Sequence, residues 1–491
     1  MAQKTLFLIL LATFLSILSI SFWILYESNI ESVSDYVEQT SDDFEQTSNE
    51  FKSTSNKFEP TSNDIESSNK STLAPNVPIS IVDEHTNEDS KMEVVTAAYL
   101  NIHYYIKYLK ILREQHNKML YDILHEADLA VANTSVYSVT LKTQLAPSKD
   151  LHDYMSLARY FWPNPETKDG LPYIRRDGFS NPEISSVPDY IYLRKLMKDI
   201  QYLGLAYFFT RNDTYVKKAI YRLNEWFIDP KTKMNPNLNY GSLIKGFEFG
   251  RRTGIIDFRP IYKIIQSISI MSSSKSWDNK IESSFKKWLT DYYEWLTTSK
   301  HGREEHNAKN NHGTFYDVQA TYILQYLDRI EEAKEFGWKA LKHRVNTGIL
   351  ADGQQRHETS RSTSWFYSVF NLQGLFLLAE RTTLLGFDGW NYRGNNNQSI
   401  KTAVDYLLPF ALNGGEGWKF KNIAGFKFND YIRILELSWI IWGDDKYLDA
   451  VETLRPKSKL EQALGSHEVW EDNSLCIWSL INEKSLWSCF N

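Results

Sequence analysis

Cysteine is nearly missing from this chain, with only Cys476 and Cys489 among 491 residues. Their spacing excludes a CxxC-type metal or redox site. In an oxidising compartment they either close one terminal disulfide or remain two thiols among tryptophans. Strand-like alternation is scarce too, which removes sandwiches and barrels and leaves helices as the building material. No phosphate-binding glycine loop and no nucleic-acid motif is present. His301, His306 and His312 stand five and six residues apart, a spacing that fits neither a one-turn helical ligand pair nor a zinc template. No cofactor, no metal and no nucleic-acid partner is expected.

Long apolar runs are also lacking, with one exception. Residues 6–26 run almost unbroken from Leu6 to Tyr26 without a charge, between Lys4 and Glu27, long enough to span a bilayer. The bulky end Phe22-Trp23-Ile24-Leu25-Tyr26 offers no small-x-small cleavage site, so a signal anchor is favoured over a cleaved signal peptide. Either one sends the rest into the secretory route, as a single-pass membrane protein with its folded part extracellular or luminal, or as a secreted one. Residues 27–93 are rich in Ser, Thr, Asn, Asp and Glu, and loosely repeat Phe44-Glu45-Gln46-Thr47-Ser48-Asn49 at Phe51 and Phe58. So few apolar side chains cannot offset the entropy of ordering the backbone, and a disordered stalk is expected. The stalk carries 16 acidic and 4 basic residues, and Lys4 is the only charge before it. The whole-chain net of −6 therefore leaves residues 94–491 at about +5. A mildly basic folded domain suits a polyanionic ligand.

Residues 94–491 form the third division of the chain, expected to fold as a monomer. Apolar residues recur at helical spacing over about 94–131, through Val95, Tyr99, Ile102, Ile106, Leu109 and Leu112. The period returns over 187–210, 214–228, 279–299, 314–328, 364–385, 400–412 and 429–443. So many helices point to an all-α array of antiparallel pairs, possibly closed into a toroid. Sequons at Asn69, Asn133, Asn212 and Asn397 fit a secreted or cell-surface domain.

The chemistry is concentrated in a few stretches. Lys309-Asn310-Asn311-His312-Gly313 sets amides and an imidazole side by side, groups that hold a carboxylate and receive a proton. Gln354-Gln355-Arg356-His357-Glu358-Thr359-Ser360-Arg361, followed by Trp365-Phe366-Tyr367, adds a cation and a phenol. The long non-periodic stretch 147–188 contains Tyr154, Tyr160, Trp162, Arg175 and Arg176, and so many aromatics with paired arginines argue for order. Asn239, Arg251 and Arg252 lie in a segment rich in amides and arginines. The bland alternatives are as clear. By pattern alone, Tyr367 beside Phe370, Leu372 and Leu375 reads as core, and His312 as a hydrogen-bonded structural histidine. Arg251, Arg252, Arg356 and Glu358 divide evenly between substrate contacts and salt bridges.

Four blocks occur in an order that resembles the alginate lyase domain family, in particular its eukaryotic and soil-microbial branch. They are Asp153-Tyr154-Met155-Ser156-Leu157 through Asn181-Pro182-Glu183, Met234-Asn235-Pro236-Asn237-Leu238-Asn239-Tyr240 through Asp257, Asn310-Asn311-His312, and Arg361 through Asn371-Leu372. The resemblance, covering residues 94–450, implies an incomplete α/α toroid with a deep cleft, and a polysaccharide lyase that cleaves polyuronates by β-elimination. It implies that Asn311 and His312 neutralise the substrate carboxylate, that Tyr367 is the catalytic tyrosine and that Arg361 is its neighbouring arginine. Bacterial members place that arginine seven residues before the tyrosine; here Ser360 holds that position and Arg361 stands six before. A lid tyrosine is implied among Tyr154, Tyr160 and Tyr173. The lyase assignment requires Asn311, His312 and Tyr367 to face one groove, with the phenol reachable from solvent.

Two alternatives remain open. A glycoside hydrolase on a similar toroid needs two carboxylates flanking the sugar, for which Asp257 and Glu358 are the candidates. An inactive membrane-tethered polysaccharide-binding protein would keep the arginines and aromatics and drop the acid and base.

Overall fold

The computed structural model describes residues 121–176 and 179–463, of which 457–463 by backbone alone. The apolar run 6–26, the stalk, the first part of the helix expected over 94–131, Asn69 and both cysteines lie outside the described residues. Among the described residues the protein is mostly helical, with four strands of two to four residues.

After α1 (residues 121–132) the helices are α2 (Asp189–Thr210), α3 (Asp213–Leu223), α4 (Ile261–Met271), α5 (Asn279–Thr298), α6 (Lys300–His306), α7 (Asn311–Tyr326) and α8 (Ile330–Gly348). They continue as α9 (Arg356–Thr359), α10 (Ser364–Leu384), α11 (Ile400–Leu412), α12 (Asn429–Trp442) and α13 (Asp445–Ala463). Four pairs pack directly on each other, namely α2 with α3, α7 with α8, α10 with α11 and α12 with α13. Three of the four connections are tight and are made by residues in the left-handed region: Arg211 at φ 54° after α2, Asp328 at φ 61° after α7 and Gly443 at φ 64° after α12. The following start is fixed by a cap where the chemistry allows it, as at Asn212, whose side chain accepts from the Thr214 N–H.

Helices α2, α4, α7, α10 and α12 form an inner row in which each packs on the next. Fourteen of the 16 residues of α7 and 17 of the 21 of α10 are buried, against 6 of the 19 of α8. Helices α7 and α10 are therefore covered nearly all round, whereas α8 presents a single apolar stripe. The periodicity reading meets some of these helices and misses others. Its ranges over 187–210, 279–299, 364–385, 400–412 and 429–443 meet helices at nearly the same bounds. Over 214–228 the α-helix stops at Leu223 and continues as a π turn to Ile228. The range 314–328 begins three residues late, because α7 starts on polar Asn311 and His312, which are buried although not apolar. Helices α4, α6, α8, α9 and α13 gave no usable period.

Residues 147–188 are ordered by short pairings. Strand β1 (Met155–Leu157) lies parallel to β4 (Tyr240–Leu243), and β2 (Phe161–Trp162) runs antiparallel to β3 (Ile174–Arg175). A buried pair anchors this region to the inner row. Lys142 donates to the carbonyls of Val139 and Leu151 and to Asp189 Oδ2 at 3.0 Å, and Asp189 also accepts the Met155 N–H. Among the described residues no helix is long and apolar enough to cross a membrane.

Candidate active site

The site is built at the junction of α6 and α7. Arg344 of α8, 4% exposed, donates to the carbonyls of His306 and Ala308 and to Asp317 Oδ2 at 2.6 Å, which fixes the chain between the two helices. Only glycine fits at 313, since a Cβ there would stand 2.1 Å from the Ala308 carbonyl oxygen and 2.4 Å from Arg344 Nη1. Asn310 caps α7 by accepting the His312 N–H, so Asn311 and His312 occupy the first turn, at the positive end of the helix dipole.

Glu358 of α9 meets this turn. Its Oε1 accepts the Asn311 backbone N–H at 2.6 Å and its Oε2 accepts Asn311 Nδ2 at 2.8 Å. Burial pushes the Glu358 carboxyl up to about 7, opposed by Arg361, by the two Asn311 bonds and by His312. On the other side of the turn, His312 Nδ1 lies 2.5 Å from Glu305 Oε1, and Arg252 Nη1 donates to Glu305 Oε2 at 2.8 Å. A carboxylate on Nδ1 fixes the orientation of the His312 ring and leaves Nε2 facing away from Glu305.

Arg361 closes the arrangement. Its guanidinium lies 3.9 Å from the centroid of the Tyr367 ring, and its backbone N–H donates to the Glu358 carbonyl. A chain of contacts therefore runs from Glu305 through His312 and Asn311 to Glu358, Arg361 and Tyr367, joining two segments more than forty positions apart in sequence. Three buried atoms along it have no hydrogen-bond partner: Asn311 Oδ1, His312 Nε2 and Arg361 Nε. Unpaired polar atoms in a protein interior are costly, and three along one contact chain make this stretch the candidate place for a polar ligand.

The expected open groove is not what the structure shows at the phenol. Tyr367 and His312 are each 2% exposed. Arg361 covers one face of the Tyr367 ring and Phe366 meets it edge-on at 5.5 Å. A sugar reaches this phenol only after covering side chains move.

The remaining candidates disperse. Tyr154 is fully buried and donates to Asp257 Oδ2, and Tyr160 is buried as well, so both rings pack in the core instead of forming a sugar platform. The Trp162 indole donates to the Phe179 carbonyl, with Arg176 exposed above it, and Arg175 sits in β3. Asn239 accepts from the Trp295 indole. Arg251 is held by Ser242 and lies over Phe161, Arg252 supports Glu305, and Arg356 is exposed on α9. Of the rival carboxylates, Asp257 accepts from Tyr154 and Ser156, while Glu358 is engaged by Asn311. His306 pairs with Asp317 and His312 with Glu305, so these two rings turn to different partners.

Sequence reasoning passed over Glu305, Gln355 and Asn371. Gln355 Nε2 donates to the Ser368 carbonyl and its Oε1 accepts from Asn371, which fastens α9 to α10. Glu305 precedes His312 by seven residues across a helix break, and no periodic signal crosses a break.

Comparison with known proteins gives the same direction. The alginate lyase family profile matches residues 138–418. The crystal structure of an alginate lyase from Bacteroides ovatus is similar with 33% identity and a TM-score of 0.66, over 73% of this chain and 96% of that one. Alginate lyase A1-III from Sphingomonas species A1 is similar with 16% identity and a TM-score of 0.45, over 66% of this chain and 88% of that one. No curated protein matches.

Proposed function

The chain belongs to the alginate lyase family, and from that premise we propose how its own side chains carry out the elimination. It is a polysaccharide lyase acting on alginate. The C5 proton of a uronate sits beside a carboxylate, and removing it adds charge to a group already negative. Asn311, His312 and Arg361 neutralise that carboxylate where the charge develops. Once the side chains covering it move aside, Tyr367 takes the C5 proton, the C5–H electron pair forms the C4=C5 double bond, the C4–O bond breaks, and the proton passes from Tyr367 to the leaving oxygen. One phenol serves both ends where C5–H and C4–O lie on one face of the ring, as in mannuronate and glucuronate, and we assign the preference to that geometry. The observation that supports these roles is the unpaired donor Arg361 Nε beside the Tyr367 ring, on a contact chain that also carries unpaired buried atoms of Asn311 and His312.

The finer architecture is part of the proposal: an incomplete α/α toroid in which the inner row of helices lines the cleft. So are a monomeric state and an N-terminal anchor that holds the catalytic domain on the extracellular or luminal side. Asn212 and Asn397 are exposed, as glycan acceptors must be.

The test is spectroscopic. Incubation of the full chain with polymannuronate, polyguluronate and glucuronan is expected to yield a product absorbing in the short ultraviolet, fastest on a same-face uronate. A hydrolase would release reducing ends without that absorbance. Tyr367→Phe is expected to abolish turnover with binding largely kept, and His312→Ala to lower kcat by about 10²–10⁴-fold. Full activity in the phenylalanine variant would remove Tyr367 from the mechanism.

A further inference from the structure

Asn311 faces the wrong way for its task. Neutralising a substrate carboxylate requires an N–H donor, yet Nδ2 is bonded to Glu358 and the atom left unpaired is the acceptor Oδ1. The cause is the partner. An ionised carboxylate only accepts hydrogen bonds, so it takes the Asn311 backbone N–H on one oxygen and Nδ2 on the other, and Oδ1 is turned away by exclusion. A protonated Glu358 reverses this arrangement. One oxygen still accepts the backbone N–H, the other becomes an O–H donor to Oδ1, and a half-turn of the amide presents Nδ2 outward.

We propose that Glu358 is a positioning residue whose proton sets the face Asn311 presents to substrate, so that binding a uronate carboxylate is coupled to uptake of one proton by Glu358. The proposal rests on the lyase reading of this site and adds to it. The proton comes from solvent, no bond to substrate is made by Glu358, and the only bonds exchanged are hydrogen bonds: Nδ2–H to Oε2 is replaced by Oε2–H to Oδ1. Among the described residues, the titratable groups acting on Glu358 are Arg361, which follows it in sequence, and His312 on α7, itself backed by Glu305 of α6 and Arg252; the Tyr367 phenol of α10 lies beyond Arg361. Arg361, His312 and the Asn311 bonds favour the ionised carboxylate and burial favours the neutral one. Burial prevails far enough to hold the free protein's carboxyl at about 7, so both amide orientations are within reach near neutrality. An arriving substrate carboxylate adds a negative charge and moves the balance further toward the protonated form.

The sign follows. Above pH 7 the unliganded site is set with Oδ1 outward, and a substrate must bring a proton with it. The apparent kcat/KM is then expected to fall about tenfold per pH unit on the alkaline side of Glu358. Glu358→Gln fixes the protonated pattern permanently, because its Oε1 accepts the backbone N–H and its Nε2 donates to Oδ1.

Two measurements decide the matter, both on the full chain with polymannuronate. In the first, kcat/KM is followed by ultraviolet absorbance from pH 6 to 8.5 for the wild type and for Glu358→Gln. The wild type is expected to fall more than tenfold over that range and the variant less than threefold; a variant that falls as the wild type does overturns the proposal, since a merely structural glutamate would not remove the alkaline limb. In the second, binding to Tyr367→Phe is measured by calorimetry at pH 8 in two buffers of different ionisation heat. Uptake approaching one proton per site supports the coupling, and zero uptake overturns it even if the glutamine variant fails to fold. Failure of the lyase reading looks different: no absorbing product from the wild type at any pH, with the calorimetric arm still deciding whether Glu358 takes up a proton.

Discussion

At the residue scale, burial decides what each candidate side chain can be. The sequence marks Tyr367 as the catalytic tyrosine and Tyr154 as a substrate contact, and both are buried. The difference is that Tyr154 donates to Asp257 within a packed core, whereas Tyr367 lies under the guanidinium of an arginine whose Nε is unpaired. Glu358 was legible as a candidate only by its place among polar residues; its role as the partner of Asn311 came from the fold. Its energetics are testable apart from catalysis. A carboxyl held at about 7 in the folded protein and near 4.5 when unfolded binds more protons in the native state between those values. Its stabilising contribution is complete below pH 4.5 and is lost as pH rises through 7, by on the order of 3 kcal/mol. Glu358→Gln is therefore expected to melt at a higher temperature than the wild type at pH 8, with the difference vanishing towards pH 4.5. Equal melting temperatures across that range would contradict the burial-driven shift.

At the scale of elements, the first turn of α7 is positioned by neighbours that the motif itself does not contain. Arg344 ties two loop carbonyls and Asp317 together from α8, and Gly313 lets it approach. Removing one member of such a buried cluster leaves the others uncompensated. Arg344→Met is expected to cost about 3–5 kcal/mol, because Asp317 stays behind as a buried charge. Gly313→Ala forces its Cβ onto the Ala308 carbonyl, and is expected to lower both stability and turnover by displacing His312; urea unfolding and the absorbance assay read the two effects. A variant with wild-type stability and rate would mean that the loop shifts freely, against the contacts described. Outer helices such as α5 were visible as amphipathic stripes. The start of α7 was not, because its buried face carries Asn311 and His312, and polarity disguises burial.

At the scale of the whole molecule, charge and packing operate separately. The net charge of about +5 on residues 94–491 acts on a polyanion at long range, and salt screens it with a Debye length of about 10 Å at 0.1 M. KM for polymannuronate is expected to rise several-fold between 50 and 500 mM salt, with kcat changing little; salt-independent KM would place the recognition in short contacts alone. The sequence by itself determined the helical class, several of the longer helices, the order of the motif blocks and the family, because helical periodicity and motif spacing are local quantities. Only the tertiary structure decided that Glu358 grips Asn311, that Glu305 backs His312, that Arg361 lies on Tyr367 and that the phenol is covered. Those are contacts between residues distant in the chain, set by how five inner helices pack on one another, and nothing in the local pattern of either partner encodes where the other will be.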